Sequence, residues 1–287
     1  MKVIKEIFAI QNICLYFKRV GKTIGFVPTM GFLHEGHISL ILKARDENDI
    51  VVVSIFVNPI QFLPNEDFEK YPRDFLRDYH LCKSAGVDYI FYPEPQDVFP
   101  DNYKTFVEVK NLSDILEGKY RPGHFRGVTT VIAKFMNIVM PDRLYLGQKD
   151  AQQAVILKKM LKDLNYSTEI RIGKTIREDS GLALSSRNMY LSDEEKFEAS
   201  VLYKALDFGA KLIKESHFVS SEEVIDKMKT FIKERSPNCE LQYIAITDNE
   251  NLTEIADPAN FKGEILISLA AFFRTTRLID NIIVIKT

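Results

Sequence analysis

Residues 26–44 have the sequence FVPTMGFLHEGHISLILKA, in which a hydrophobic strand becomes an amphipathic helix. The apolar run 23–27 ends at Pro28, which lacks a backbone N–H and therefore predicts the end of the strand. The helix is expected to begin near Gly36 or His37. A strand that leads through a short loop into a helix is the repeating unit of α/β folds with a parallel sheet.

The same alternation continues through the first two-thirds of the chain. Apolar runs rich in β-branched and aromatic residues predict buried strands, and longer amphipathic stretches predict helices. The predicted strands are 23–27, 50–57, 88–92, 143–146 and 168–172, and the predicted helices are 38–48, 67–85, 128–139 and 151–164. We therefore expect residues 1–176 to form a Rossmann-like, doubly wound parallel sheet domain, whose ligands bind at the carboxyl ends of the strands.

The pattern changes after about Arg177. Ser192 and Glu195 form a capping-box signature at the start of the helical stretch 191–216, and a second helix is predicted at 221–233. Strand-like runs follow at 240–247, 264–273 and 277–285. Residues 177–287 are therefore expected to form a smaller α+β C-terminal domain that acts as a lid.

Composition excludes several classes of function. The chain has 38 Lys and Arg against 40 Asp and Glu, and this balance argues against a nucleic-acid partner. Cys14, Cys82 and Cys239 are far apart, which favours buried thiols in a reducing compartment. No apolar run approaches the roughly 20 residues that cross a bilayer. We expect a soluble, cytoplasmic protein with no membrane partner.

The two histidines of HEGH lie where the predicted helix begins. Gly31 supports a tight turn before it, and the first turn of a helix presents backbone N–H groups and a positive dipole end that attract anions. Gly36 lets a nucleotide approach the backbone, and His34 and His37 can project toward the same phosphates. For either histidine alone, a capping or structural role is the simpler interpretation. Zinc is disfavoured, because HEGH lacks the i, i+4 spacing of metalloprotease helices.

Five segments in order carry a family resemblance: VPTMGFLHEGH (27–37), FVNPIQF (56–62), RPGHFRGV (121–128), LGQKDAQQ (146–153) and GLALSSRN (181–188). The first is similar to the His-Ile-Gly-His signature of the nucleotidyltransferase superfamily. Together they resemble the pantothenate synthetase (pantoate-β-alanine ligase) family. The resemblance implies ATP-dependent condensation of (R)-pantoate with β-alanine through a pantoyl adenylate, giving pantothenate, AMP and pyrophosphate. It also implies Mg2+ and a homodimer.

The resemblance further implies which residues bind ATP. They are Met30, Gly31, Phe32, Leu33, His34, Glu35, Gly36, His37, Gly147, Gln148, Lys149, Asp150, Ile176, Leu184, Ser185, Ser186 and Arg187. Within this set His34, His37, Lys149 and Arg187 are expected to be catalytic, with His37 the residue usually assigned as proton donor. Ser185–Arg187 would form a mobile flap, with Arg187 as its cation. Asp150 could hold Mg2+ or a ribose hydroxyl.

Amide and basic side chains are the candidates for binding the other substrates. Asn58 and Gln61 follow the second predicted strand, and their amides suit a substrate with hydroxyls and a carboxylate. By resemblance Gln61 contacts pantoate and lies near β-alanine, and Gln153 contacts pantoate. Arg121 and His124 line the site, either in contact with an anion or in a supporting role.

Two alternatives stay open from the residues alone. One is another adenylyl transferase of the same superfamily, and the other is a nucleotide-binding regulator or RNA-binding module without turnover. Arg274 and Arg277 carry no assigned role, and dimer, domain-contact or solvated positions are the simplest interpretations. Pyrophosphate exchange into ATP that depends on pantoate would separate these possibilities.

Overall fold

A computed structural model describes residues 1–215 and 220–286, and the chain divides into two compact units. Unit 1 comprises Met1–Gly147 and Ile156–Lys174, and unit 2 comprises Gln148–Val155 and Thr175–Thr287. The predicted domain boundary between residues 176 and 177 remains a proposal.

Within the described ranges, unit 1 is built on a six-stranded parallel sheet, which confirms the predicted Rossmann-like α/β class. Its strands are β1 (Lys2–Ile4), β2 (Ile24–Thr29), β3 (Ile50–Ile55), β4 (Tyr89–Phe91), β5 (Arg143–Gly147) and β6 (Glu169–Gly173). Its helices are α1 (Ile7–Arg19), α2 (Glu35–Glu47), α3 (Phe75–Ser84), α4 (Pro95–Val98), α5 (Glu117–Tyr120) and α6 (His124–Val139). Helix α7 (Ala151–Asp163) begins in unit 2 and ends in unit 1.

The strand order is β1-β4-β3-β2-β5-β6, so the chain reverses its direction of progress across the sheet between β2 and β5. Parallel sheets bind ligands in the crevice at such a switch point, beyond the carboxyl ends of the strands. Strand β2 leads into the HEGH segment, and β5 ends at Gly147. The fold therefore brings two of the predicted ligand segments to the edge where ligands bind.

Strand β1 was not predicted from the mixed, helix-like pattern of the N-terminus. Lys2–Ile4 pairs in parallel with Tyr89–Phe91 at the edge of the sheet. With only three residues, it is too short to produce a clear alternating pattern.

The prediction that Pro28 ends its strand is wrong. Strand β2 continues to Thr29, and Pro28 pairs in register with Ser54 of β3. The carbonyls of Thr23 and Thr29 accept from Ile50 N, in β3, and from Phe56 N, just after it, so the alternate residues, Pro28 among them, face β5. In the described residues, the pairing of β2 with β5 extends as far as Phe26. Proline is tolerated because its missing donor faces the side where this ladder has already ended.

Two predicted helices are also corrected. Helix α3 begins at Phe75, not at residue 67, because Pro72 disfavours helical backbone before it and Asp74 caps the first turn by accepting from Arg77 N. The stretch 191–216 contains two helices, α8 (Asp193–Ala199) and α9 (Val201–Glu215). The predicted capping box is present, with Ser192 and Glu195 bonded reciprocally. The predicted end at Ser216 lies outside the described residues.

Unit 2 also contains α10 (Ser221–Arg235) and, among its described residues, a three-stranded antiparallel sheet. Its strands are β7 (Cys239–Asp248), β8 (Gly263–Phe273) and β9 (Thr276–Lys286), in sequence order. Helices α9 and α10 pack on this sheet through a buried apolar cluster that includes Leu206 and Ile267. The predicted α+β character of this region agrees with these elements.

All three cysteines have thiols whose pKa burial raises to about 12. Cys14 and Cys82 are buried in unit 1, and Cys239 is half-buried in unit 2. In the described parts of the chain, no helix combines the length and apolar character needed to span a membrane.

Candidate active site

The side chains of His34 and His37 both accept backbone N–H groups at the N-terminus of α2. Nδ1 of His34 accepts from Gly36 N at 3.2 Å, while the His34 backbone N–H donates to Nδ1 of His37 at 3.3 Å. The two ring centroids are 4.0 Å apart. The capping role that the sequence left open is therefore real, and both rings are fixed at the positive end of the helix.

This capping also determines where each ring carries its proton. Because Nδ1 of His34 and of His37 accepts a backbone N–H, the proton of the neutral imidazole resides on Nε2. Each ring can then donate from Nε2 while remaining neutral. Helix capping and the binding of an anion are compatible uses of the same two side chains.

The turn before α2 is held by a carboxylate that the sequence did not single out. Asp78 of α3 accepts from Phe32 N and Leu33 N, both at 2.7 Å. Phe32 has a positive φ of 50°, and Gly31 has a φ of 83°. Such backbone is strained for a phenylalanine, and the two charge-assisted hydrogen bonds stabilise it. Burial raises the pKa of Asp78, and the two N–H donors oppose that rise.

A network of amides follows β3. Asn58 Nδ2 donates to Gln61 Oε1 at 2.9 Å and to Gly127 O at 3.1 Å, and Gln61 Nε2 lies 3.2 Å from Met30 Sδ. Asn58 is buried, and within residues 1–215 and 220–286 its Oδ1 accepts no hydrogen bond. A buried amide oxygen without a donor is a candidate acceptor for a substrate hydroxyl.

Arg121 and His124 belong to one partly buried hydrogen-bonded chain. The Arg121 guanidinium donates to both carboxylate oxygens of Glu66, at 2.5 and 2.7 Å, and its Nη1 lies 3.1 Å from His124 Nε2. Since arginine only donates, His124 Nε2 accepts, and Nδ1–H donates to Gln61 O at 2.8 Å. Burial, reinforced by the charge of Arg121, lowers the pKa of His124 to about 4. Burial opposes ionisation of Glu66, but the bonds and charge of Arg121 lower its pKa.

A cavity of about 210 Å3 lies beside this chain in unit 1. Its walls are loop and helix residues around Gln61 and His124, with Arg126 at one side. Gly127 lets α6 approach the loop, because a Cβ there would lie 2.4 Å from Ile60 O. The cavity thus combines apolar walls with a few fixed polar groups, as small-molecule sites do.

In unit 2, residues 148 and 149 of the GQKD turn are held by Asn281 of β9. Asn281 Nδ2 donates to the backbone carbonyls of Gln148 and Lys149, at 3.1 and 2.8 Å, and its Oδ1 accepts from Gln148 Nε2 at 3.0 Å. Lys149 Nζ lies 3.6 Å from the exposed carboxylate of Asp150. Gln153 is half-buried two residues into α7, and Gly147 has open space around its Cα.

The predicted flap residues follow a short hairpin. Leu184 N donates to Ile176 O at 2.9 Å, and Arg177 pairs with Ala183 as an isolated bridge. Ser185 then caps a 3-10 turn, Ser186–Tyr190, by accepting from Arg187 N at 3.3 Å. Ser186 is buried, whereas Glu35 of the HEGH segment in unit 1 is exposed.

The chain matches known proteins over nearly its whole length. The sequence profile of the pantoate-beta-alanine ligase family covers residues 2–283. The chain belongs to this family. A pantothenate synthetase of Caldicellulosiruptor saccharolyticus is 49% identical over 287 residues, 99% of each chain. The ligase family's activity is therefore the activity of this chain: it condenses pantoate with β-alanine using ATP.

Two solved structures of such ligases are similar to this one. The enzyme from Thermus thermophilus is 39% identical, with a TM-score of 0.92 over 98% of this chain and 99% of its own. The ligase from Francisella tularensis, solved in complex with "beta-gamma ATP" and β-alanine, is 38% identical, with a TM-score of 0.78 over 98% and 97%. The similarity extends through both units of this ligase.

Several polar residues at these sites were missed from the sequence. Asp78, Glu66, Arg177 and Asp280 lie in otherwise ordinary helix, loop or strand patterns, and no local motif marks them. Arg274 and Arg277, left without a role, contact Glu195 and Gln242 respectively.

Proposed function

We propose that this ligase works in two half-reactions through a pantoyl adenylate. In the first, an oxygen of the pantoate carboxylate bonds to the α-phosphorus of ATP, and pyrophosphate leaves with the electron pair of the broken P–O bond. In the second, the β-alanine amine attacks the activated carbonyl, and AMP leaves with the electron pair of the C–O bond. The amine loses a proton, and pantothenate is released.

The observation that carries this proposal is the paired capping of α2 by His34 and His37. Both rings are held through Nδ1, so each presents an Nε2–H donor at the positive end of a helix. Such preorganised donors stabilise negative charge that builds on phosphate oxygens in the transition state. Neither histidine needs a second proton for this role. We assign ATP contacts to Met30–His37 as a whole, as the resemblance implies.

The remaining ATP contacts are assigned to residues of unit 2 and to Gly147. Lys149 and Arg187 supply positive charge for the triphosphate, and Ser185 and Ser186 supply hydroxyls from the flap. Gln148, Ile176 and Leu184 would contact the nucleotide mainly through their backbone. These assignments agree with the ordered turn at 148–150 and the capped turn after Ser185.

Pantoate is assigned to the amide network of unit 1, together with Gln153. The buried Asn58 Oδ1 is suited to accept a pantoate hydroxyl, and Gln61 Nε2 faces a weak thioether acceptor at Met30. Arg121 is already paired with Glu66, so we propose that it acts on substrate through His124 and Gln61. β-Alanine would enter beside Gln61.

Mg2+ fits these residues only as a partner of ATP. Within the described ranges, no group of three or more His, Cys, Asp or Glu could hold a metal. Mg2+ commonly uses one or two carboxylates together with substrate phosphates, and the exposed Asp150 offers one such carboxylate. Asp150 would hold the ion, which would neutralise phosphate charge. A homodimer and a cytoplasmic location complete the proposal on the basis of the family resemblance, and light scattering tests the dimer.

The test is exchange of labelled pyrophosphate into ATP without β-alanine. We expect exchange only when pantoate is present, because only then does the first half-reaction run in both directions. His37→Ala should abolish the exchange, while His80→Ala, an exposed histidine on α3, should leave it unchanged. Exchange without pantoate, or none in active, folded enzyme, would disprove the adenylate route.

A further inference from the structure

Two adjacent residues of β9, Asp280 and Asn281, contact both segments of unit 2 that lie in the proposed ATP site. Both side chains are buried, with only 4% of each residue exposed. Asn281 binds the GQKD turn, and Asp280 binds Arg177 at the base of the flap hairpin. Neither residue belongs to a segment assigned to ATP or pantoate.

The contacts of Asn281 fix the backbone of the GQKD turn. Its single amide group bonds to two successive carbonyls and to the Gln148 side chain. The carbonyls of a first helical turn are normally satisfied by N–H groups further along the helix, so this side chain adds a restraint that α7 itself does not provide. With both carbonyls held, the direction in which Lys149 leaves the turn is restricted.

The contacts of Asp280 fix the base of the flap. Arg177 donates from Nη1 and Nη2 to the two carboxylate oxygens of Asp280, at 2.6 and 2.9 Å. Nη1 also donates to Gly181 O at 3.1 Å, and the guanidinium stacks on the Tyr203 ring, 3.9 Å from its centroid. Burial raises the pKa of Asp280, and Arg177 opposes that rise. A half-buried arginine with bidentate bonds and a stacked guanidinium holds one orientation, so the hairpin that leads to Ser185 is anchored.

Asp280 and Asn281, the two anchoring residues, are adjacent in the backbone of β9. Asn281 N donates to Asp280 Oδ1 at 2.8 Å, and β9 is paired along its whole length with β8. Displacement of one anchor would therefore be transmitted to the other through a single peptide unit.

We propose that Asp280 and Asn281 are positioning residues for the adenylation step, which hold Lys149 and the flap in fixed relation to each other. We draw this inference on the basis of the ATP contacts assigned above. Neither residue needs to touch substrate. Their loss should weaken ATP binding and the adenylation rate while leaving pantoate binding to the amide network of unit 1 intact.

The test measures the KM for ATP and for pantoate, together with the thermal midpoint, in Asn281→Ala. Loss of two hydrogen bonds to fixed carbonyls should raise the KM for ATP about tenfold. The KM for pantoate should change less than about twofold, within the scatter expected of an uncoupled site. The matched control is Ser268→Ala, because Ser268 is the buried neighbour of Asn281 on β8 and its Oγ has no hydrogen-bond partner among the described residues.

A second variant, Asn281→Asp, keeps the size and the Oδ1 acceptor but removes both donors to the turn. If Asn281→Ala does not fold, the KM values of Asn281→Asp test the positioning role instead. An unchanged KM for ATP in the folded variant, or equal changes for ATP and pantoate, would overturn the proposal. So would an equal effect of Ser268→Ala, because the role would then be general to the sheet.

Arg177→Lys tests the second anchor, since lysine keeps the charge but loses the bidentate geometry. Pyrophosphate exchange at saturating ATP should slow about tenfold, the effect of losing one charge-assisted bond. An unchanged exchange rate would overturn the role of Asp280. Lys149→Ala tests the proposed ATP site separately. If this variant leaves the KM for ATP unchanged, the assignment of Lys149 to ATP fails. If it raises the KM for ATP while the Asn281 variants keep the wild-type KM, only the positioning role is disproved.

Discussion

The carboxylate of Asp78 holds Phe32 in a left-handed backbone conformation, through a 2.7 Å hydrogen bond from the Phe32 N–H. The same carboxylate accepts from Leu33 N at 2.7 Å. The two bonds fix the turn that precedes His34. The position of His34, to which an ATP contact is assigned above, thus depends on a side chain of α3.

Asp78→Asn should lower both stability and activity. The amide keeps one acceptor but turns an NH2 group toward a backbone N–H, so one buried donor loses its partner. We expect a loss of about 1 to 3 kcal/mol in the free energy of unfolding, measured by urea denaturation, with a lower kcat. Asp74→Ala on the same helix should cost only its cap, about 1 kcal/mol, with kcat unchanged. Equal kcat values for wild type and Asp78→Asn would contradict the role of this turn.

Two replacements of His37 separate capping from catalysis. Asn places an amide oxygen near the position of Nδ1 and can keep the hydrogen bond from His34 N–H, whereas Gln reaches the position of Nε2. His37→Asn should keep stability but lose roughly 10²- to 10³-fold in kcat, the usual effect of removing one oxyanion donor. His37→Gln should retain more activity and lose about 1 kcal/mol of stability. The reverse order of the two kcat values would show that Nε2–H is not the group that acts.

His124 should make the enzyme less stable in mild acid. Its folded pKa is about 4, below its ordinary 6.5, so the unfolded chain binds the proton more tightly. Stability contributed by the neutral ring is therefore present above pH 6.5 and is lost as pH falls toward 4. Between pH 7 and pH 5 this group should account for about 2 kcal/mol. Urea unfolding of wild type and His124→Gln at both pH values checks this, since their difference in stability should shrink at pH 5.

Two glycine variants should differ in their effect on stability. A Cβ at Gly147 would meet no atom of the described chain within 4 Å, so Gly147→Ala should fold with an unchanged thermal midpoint. If ATP approaches this backbone, its KM should rise. Gly127→Ala would place a Cβ 2.4 Å from Ile60 O, and we expect it to destabilise the enzyme by about 1 to 3 kcal/mol. A normal KM for ATP in Gly147→Ala would remove that residue from the site.

The sequence was sufficient to predict the elements that follow from local pattern. Buried strands such as β3 and the capped start of α8 depend on residues close together in the chain, and both are found, with β3 two residues shorter than the predicted 50–57. The end of β2 at Pro28 was wrong for a non-local reason. Which side of a strand lacks a neighbour depends on the order of strands in the sheet, and one strand's sequence does not encode that order.

The residues of the candidate site also divide into those that the local sequence identifies and those that it does not. Residues in contiguous motifs, such as HEGH and GQKD, could be assigned from the resemblance. Their supports could not be assigned in this way, because Asp78 lies 46 residues beyond Phe32 and Asn281 lies 132 residues beyond Lys149. A lone carboxylate or amide in a helix or strand has no local signature, so its role becomes visible only when the fold brings it to the backbone that it holds.

The three cysteine thiols have low reactivity in the folded enzyme, so they can report the unfolding of each unit without an engineered label. A thiol whose pKa is about 12 is almost entirely protonated at neutral pH and reacts slowly with alkylating reagents. Alkylation of Cys14 or Cys82 would therefore record the opening of unit 1, and alkylation of Cys239 the opening of unit 2. Peptide mass spectrometry of a timed alkylation series would then show which half of the enzyme opens first under heat or denaturant, and whether ATP protects one half more than the other.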